Sequence, residues 1–258
     1  MNNGERDELI CKIILVYLRD NKISLFNEEI SSVGFLNYEY SSLSSDFDIN
    51  YLRNLNDEQL IEIARSINIA KAPSGAKSDV YINNIGVSLK SLSAAPTALV
   101  NHTARPGFEF ACNYAGIAID ELDEIIDNYW QLRESGLITE DTKISDKNCP
   151  FRTHKEYLRP ILEYFLFIGT GSKISETRAE YILEFTNPFD LNTYKKLSKK
   201  EAVDAVWPKL IFSLRAKKGM PKDYTPETYN KANAESILKW VRYNSGDYRG
   251  ALHIRSSK

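Results

Sequence analysis

The chain has 258 residues, of which 43% are hydrophobic and 26% charged, and its formal net charge is −2. These proportions are those of ordinary globular proteins and exclude the disordered and fibrous classes. No apolar run approaches the ~18 residues that a membrane span requires, and the polar start MNNGERDE has no signal-peptide pattern. We therefore expect a cytoplasmic protein with no membrane partner.

An amphipathic helix is predicted over residues 5–21, where Leu9, Ile10 and Ile13 begin a run at helical spacing. Residues 22–55 are Ser- and Asn-rich and are expected to be irregular. Asn56 and Gln59 then form a capping box that starts a second helix, and the Pro/Gly segment KAPSGAK at 71–77 ends it.

The rest of the chain alternates between the two kinds of element. A helix is predicted from Ile119 to about Glu134, and the apolar residues 157–171 are expected in the core. Strand patterns occur within 174–188 and 250–257, a helix followed by a strand within 201–224, and a last helix near 226–241. The fold class is therefore mixed α and β.

Charge is distributed unevenly along the chain. Residues 1–70 carry 6 Lys/Arg against 12 Asp/Glu, whereas residues 191–222 carry 9 against 2. This asymmetry favours a surface for a polyanion, and a solvated lysine-rich helix is the alternative. Three scattered cysteines form no disulfide framework and are expected as free thiols, and three widely spaced histidines lack the spacing of a zinc site.

Two short apolar runs flank Asn83-Asn84 and predict a tight β-hairpin, since Asn tolerates the positive φ of such turns. In that register Val80 faces Val87, and alternation puts Val80, Ile82, Ile85, Val87 and Leu89 on one face. Asp79 and Lys90 become diagonal neighbours on the other face. They are either solvated residues at a sheet edge or an acid and a base at one small site.

An acid and a lysine that converge over Gly86 suit metal-assisted phosphodiester hydrolysis. The carboxylate can hold Mg²⁺, which lowers the pKa of a water, and the lysine can orient that water or stabilise the developing charge. Asp79 followed by Ser88-Leu89-Lys90 resembles the PD-(D/E)xK nuclease pattern, in the form SD-x8-SLK. Residues 57–115 resemble type II restriction endonucleases.

The resemblance implies an α/β (α+β) restriction-endonuclease-like core with a mixed central sheet flanked by helices. It implies that Asp79 binds Mg²⁺, that Lys90 activates water and that the Leu89 carbonyl is a further ligand. Ser88 departs from the family pattern, because it stands where an acid is usual. Glu62, Glu58 and Glu109 are candidates for the missing carboxylate, with Glu62 as the assigned metal ligand.

Residues around the hairpin and in the basic stretch are predicted to contact DNA, since Arg and Lys bind phosphates and guanine and Asn binds adenine. They are Lys77, Ser91, Asn101, His102, Arg105, Arg215, Lys217 and Lys218, with Arg105 as the first choice. A polar loop is the alternative reading of Asn101 to Arg105.

The resulting prediction is a Mg²⁺-dependent type II restriction endonuclease that cuts double-stranded DNA at a short specific sequence. Residues 1–55 would form an N-terminal helical region and residues 56–258 the nuclease core with DNA-contacting elements, unless the chain is one domain. A cognate DNA methyltransferase is implied by the resemblance, and whether the enzyme is a homodimer is left open. A DNA-binding protein that has lost catalysis is the main alternative, and a protein-interaction domain is the third.

Overall fold

The computed structural model describes residues 1–94, 98–216, 235–236 and 238–257. Its helices, in chain order, are α1 (Asn3–Asp20), α2 (Asp57–Ser66), α3 (Arg105–Ala115), α4 (Asp120–Glu134), α5 (Lys155–Glu163) and α6 (Lys199–Val206). Short 3-10 turns and one π-helical segment, Tyr164–Ile168, complete the helical content. In this part of the chain no helix is both long enough and apolar enough to cross a membrane.

The strands, in chain order, are β1 (Val33–Phe35), β2 (Tyr38–Glu39), β3 (Val80–Ile82), β4 (Ile85–Ser91), β5 (Ala98–Ala104), β6 (Gly169–Thr170), β7 (Lys173–Ile174), β8 (Tyr181–Phe185), β9 (Lys195–Leu197), β10 (Leu210–Arg215), β11 (Arg242–Asn244), β12 (Asp247–Arg249) and β13 (Ala251–Ser256). The chain divides into two compact units, Met1–Ala95 with Ser175–Lys199 and Pro96–Ile174 with Lys200–Lys258. Residues 1–55 share the first unit with the hairpin, so neither unit begins at the predicted boundary at residue 55.

The first unit is built on a six-stranded sheet in the order β2-β1-β3-β4-β8-β9. The β4–β8 pair is parallel and the other pairs are antiparallel, so the sheet is mixed as predicted. Its core contains Val80, Val87 and Leu89, each with no exposed surface, together with the buried face of α1. The burial of these apolar side chains makes the main favourable contribution to the free energy of folding of the unit.

The second unit contains a three-stranded antiparallel sheet in the order β10-β13-β5 and the two short hairpins β6-β7 and β11-β12. Large aromatic side chains fill its core, among them Trp240, Phe108, Phe151 and Phe212. Phe151 stacks on Phe212 with ring centroids 4.3 Å apart. All three cysteines of the chain are free thiols, as predicted, and all three are buried.

The hairpin has the predicted register, with Ile82 opposite Ile85 and Val80 opposite Val87. Asn83 and Asn84 occupy the turn with φ values of 51° and 63°, the left-handed conformation that the Asn-Asn pair predicts. Ile85 is an exception on the predicted buried face, since it lies beside the turn and is exposed.

The two turn residues are expected to respond differently to glycine. The Asn83 side chain accepts hydrogen bonds from the Ser31 and Ser32 N–H groups and donates one to the Glu29 carbonyl. Asn83→Gly should therefore lower the free energy of unfolding by about 1–2 kcal/mol in urea denaturation, given the net strength of such bonds. Asn84→Gly should be neutral or stabilising, because glycine adopts positive φ without strain. Equal effects would contradict this anchoring role of Asn83.

The predicted helices at residues 5–21, after Asn56, from Ile119 and within 201–224 are confirmed as α1, α2, α4 and α6, and the strands within 174–188 and 250–257 as β8 and β13. The expectation that residues 22–55 are irregular is wrong in part, because β1 and β2 form there and extend the sheet beside β3. These strands have three and two residues, too short to show a strand pattern. The predicted helix near 226–241 lies mostly outside the described residues.

Candidate active site at the end of the hairpin

Asp79 lies immediately before β3, and its side chain continues the hydrogen bonding of the hairpin. Its backbone N–H donates to the Val87 carbonyl over 2.8 Å. Its carboxylate Oδ2 accepts from the Leu89 N–H at 2.8 Å and from the Ser88 hydroxyl at 3.1 Å. Both bonds that the described residues donate to the carboxylate go to Oδ2, so Oδ1 is the oxygen that remains available to a ligand.

Lys90 and Asp79 are neighbours, as the hairpin register predicts. The Lys90 Nζ lies 3.8 Å from Asp79 Oδ2, with 45% of the lysine side chain and 26% of the aspartate side chain exposed. An exposed pair of this kind contributes little to stability. Both groups are therefore accessible to a ligand without disruption of the core.

Ser88 is buried, and its hydroxyl is committed to the Asp79 carboxylate. It orients that carboxylate from the position at which the family pattern has an acid. Leu89 is buried as well, and its N–H points toward Asp79. The N–H and C=O of a strand residue point to the same side, so the Leu89 carbonyl also faces the side on which Asp79 lies. The β3 residue farthest from the turn that pairs with β4 is Val80, so Leu89 lies beyond the paired part of the hairpin.

Glu8, on α1, is the acid that the sequence interpretation missed. α1 packs against β4, and the Glu8 carboxyl is close enough to feel the charges of Lys90 and Asp79. Burial raises the pKa of Glu8 to about 7, Lys90 opposes this rise and Asp79 adds to it. Glu8 thus supplies a second carboxyl, from a different element, whose charge interacts with those of Asp79 and Lys90.

Lys12 follows Glu8 by one helical turn and is buried. Burial lowers its pKa, and the carboxylates of Asp79 and Glu8 oppose that change. Lys12 and Lys90 thus both act as positive charges on the Glu8 carboxyl. A buried lysine behind two acids is an internal counterion for them.

Tyr40 adds a polar group to the same neighbourhood. Its hydroxyl is buried and has no hydrogen-bond partner among the described residues. Burial raises its pKa, and the charge of Asp79 raises it further. A buried hydroxyl without a protein partner is rare in folded proteins and fits the surroundings of a hydrated ion.

The side chains present fit Mg²⁺ better than a metal held by protein ligands alone. The described residues contain no cluster of three His, Cys, Asp or Glu side chains, which a metal site built from protein side chains alone would need. Mg²⁺ keeps several waters and is usually bound by one or two carboxylates together with substrate phosphates. Asp79 Oδ1, the Glu8 carboxyl and the Leu89 carbonyl would be the ligands.

Glu8→Gln is expected to stabilise the protein above neutral pH. The pKa of Glu8 rises from about 4.5 when unfolded to about 7 when folded, so the folded state binds the proton more tightly and wild-type stability falls as pH rises between these values. The gain should be small at pH 4 and reach on the order of 1–3 kcal/mol at pH 8, as measured by urea denaturation. Glu62→Gln is the control, and an equal gain there would contradict this assignment.

The other predicted site residues of the first unit differ in their surroundings. Burial and the charge of Lys90 lower the pKa of Lys77 to about 8. Ser91 donates to Asp7 on α1 at 2.7 Å. Glu62 is exposed on α2, and Glu58 is likewise exposed there. Neither acid has a described interaction with Asp79, which makes Glu8 the better candidate for the missing carboxylate.

The remaining predicted DNA contacts lie in the second unit or outside the described residues. Asn101 is exposed on β5, and His102 contacts the Ala216 carbonyl through Nδ1 at 3.1 Å. Arg215 lies at the end of β10, with Nη2 4.0 Å from the Asp141 carboxylate. Lys217 and Lys218 are outside the described residues.

Arg105, the first choice for a base contact, is 6% exposed, because it forms a bidentate ion pair with Asp123 at 2.8 Å. Asp123 also contacts Lys239 and Trp240. Glu109, a proposed substitute acid, pairs with Arg105 at 3.2 Å. These contacts hold the Arg105 guanidinium inside the second unit, where it is not exposed to contact DNA bases.

A sequence signal for Glu8 and Lys12 exists in α1. Lys12 interrupts the apolar run LICKIILVYL, and Glu8 precedes it by four residues. Charged residues are rarely buried unless they are paired, so a lysine within an apolar run indicates an acid nearby.

No protein-family model, curated protein or solved structure matches this chain.

Proposed function

We propose that this protein is a Mg²⁺-dependent endonuclease that hydrolyses double-stranded DNA at a short specific sequence, as type II restriction endonucleases do. The observation that carries the proposal is the Asp79–Lys90 pair at the end of the hairpin, with the Glu8 carboxyl near enough to interact with both charges. The SD-x8-SLK pattern and the mixed sheet support it. A cognate methyltransferase would protect the host DNA.

The proposed mechanism divides the work among three side chains. Asp79 Oδ1 and the Glu8 carboxyl would hold Mg²⁺, which when bound lowers the pKa of a water and screens the phosphate charge. Hydrogen bonds from Leu89 and Ser88 fix the rotamer of Asp79. Lys90 lies on the exposed side of the pair, where its ammonium can stabilise the charge that develops on the phosphate.

Glu8 gives the proposed reaction a defined pH dependence. A cation can bind the Glu8 carboxyl only after its proton has left, and the pKa of about 7 puts that loss near neutrality. Cleavage in Mg²⁺ should therefore increase as pH rises from 6 to 8. This dependence should be absent in Glu8→Gln, whose residual rate should stay low throughout, whereas Glu62→Gln should follow the wild type.

The second candidate is a DNA-binding protein without catalysis, and Ser88 and Lys12 favour it. Ser88 provides no negative charge, and the buried Lys12 already balances the acids. Incubation of the protein with unmethylated phage DNA, with and without Mg²⁺ or Mn²⁺, separates the two functions. Discrete fragments that require the metal support the nuclease, whereas a salt-sensitive gel shift with uncut DNA supports the alternative.

A further inference from the structure

One face of the β10-β13 pair in the second unit carries four polar residues, together with buried Ile211 and Ala251. Ser213 pairs with His253, and Arg215 and Arg255 lie two residues from these on their own strands. Side chains of alternate residues share a face, so Ser213, Arg215, His253 and Arg255 all lie on the same side. The opposite side carries buried apolar residues, Phe212 and Leu214 on β10 and Leu252 and Ile254 on β13.

His102 joins this face from β5, where the pairing with β13 is irregular around His253. It adopts a φ of 45°, which is uncommon for a residue other than glycine. Its ring centroid lies 4.8 Å from that of His253. Since a carbonyl only accepts, the His102 Nδ1 that contacts Ala216 carries the proton, and its Nε2 is the acceptor in the neutral ring.

His253 is 7% exposed, and its Nδ1 has no hydrogen-bond partner among the described residues. Burial, together with the charges of Arg215, His102 and Arg255, lowers its pKa to about 4. Arg215 and Arg255 give this face its positive charge. Two arginine side chains on one face suit a ligand that is an anion.

Asp141 is the acid that faces these groups. Its carboxylate contacts the Arg255 guanidinium and lies 4.0 Å from that of Arg215, yet its side chain is 76% exposed. The loop that carries it is attached to β10 through the Ile144 N–H and the Leu210 carbonyl, 2.8 Å apart. A carboxylate between two guanidiniums has the charge and the arrangement that a phosphate group presents to arginine.

We propose that Arg215 and Arg255 form a binding site for a backbone phosphate of DNA and that Asp141 occupies this site when no DNA is bound. The proposal rests on the proposed DNA-binding function and names where the second unit would contact the backbone. Asp141 is then an internal competitor, so its removal should strengthen DNA binding.

The test compares Asp141→Asn with Glu140→Gln in fluorescence-anisotropy titrations of a labelled DNA duplex, without divalent metal and at several salt concentrations. The two variants make the same change in net charge in the same loop, and Glu140 pairs with a different arginine, Arg249. We expect Asp141→Asn to bind about 3- to 10-fold more tightly than the wild type, with less than a 2-fold change for Glu140→Gln.

Arg215→Gln removes one of the two proposed phosphate contacts. Arg255→Gln removes the other, so the test still holds if one of the two variants misfolds. Each should weaken binding and reduce the slope of log affinity against log salt by about one, the change expected for one lost phosphate contact. Equal gains for Asp141→Asn and Glu140→Gln, with unchanged salt slopes for the arginine variants, would overturn this site while leaving the nuclease proposal intact. A wild-type protein that binds no duplex would overturn both.

Discussion

Asp79→Asn is expected to reduce the single-turnover rate of Mg²⁺-dependent DNA cleavage by about 10³-fold or more, equivalent to ~4 kcal/mol of lost transition-state stabilisation. The amide has the size of the carboxylate but lacks the charge that holds Mg²⁺. Its oxygen can still accept from the Leu89 N–H, so the hairpin should keep its structure. The rate is measured with enzyme in excess over a cleavable duplex.

Asp46→Asn is the matched control, because Asp46 is exposed in the same unit. It should cleave at the wild-type rate. DNA binding without metal should persist in Asp79→Asn, since removal of a negative charge does not oppose the approach of a polyanion. Wild-type cleavage by Asp79→Asn, in a preparation shown to be homogeneous, would remove Asp79 from the active site.

Lys90→Met should slow cleavage by about 10²-fold to 10³-fold, the usual effect of losing one group that stabilises developing charge. Methionine retains the apolar stem, and the ion pair with Asp79 is too exposed to matter much for folding. The same single-turnover assay measures the rate, and the metal concentration for half-maximal rate should change little. The rate should fall without a change in this metal concentration, because Lys90 is assigned to charge stabilisation and not to metal binding.

Lys71→Met tests whether a lost surface charge alone explains the effect. Lys71 is highly exposed and pairs with Glu5, so its replacement should leave the rate unchanged. If both lysine variants lost activity equally, the effect would reflect general attraction of DNA, and Lys90 would have no specific role in the reaction.

The hairpin could be predicted from sequence in detail because its determinants are local. The Asn83-Asn84 turn fixes the register, and the alternation of apolar residues fixes the faces. The proximity of Asp79 and Lys90 follows from these two facts alone. Helices with clear caps, such as α2 after Asn56, were equally accessible.

The rest of the candidate site depends on tertiary packing that no local pattern determines. Glu8 is near enough to interact with the charge of Asp79 only because α1 packs against β4, about 80 residues later in the sequence. The sequence favours Glu62 because its helix directly precedes the hairpin, whereas the burial and charge interactions of Glu8 favour α1 as the source of the second carboxyl. The burial of Arg105 likewise depends on Asp123 from the following helix, a pairing that the polar composition of its loop did not indicate.

The most direct test of the central claim, that Asp79 and Glu8 form one divalent-metal site, needs no knowledge of the DNA sequence that is cut. Electron paramagnetic resonance of free Mn²⁺ counts the ions that the protein binds at pH 8. We expect the wild type and Glu62→Gln to bind Mn²⁺ alike, with binding strongly weakened in Asp79→Asn and in Glu8→Gln. Equal binding by all four proteins, or none by the wild type, would contradict the claim.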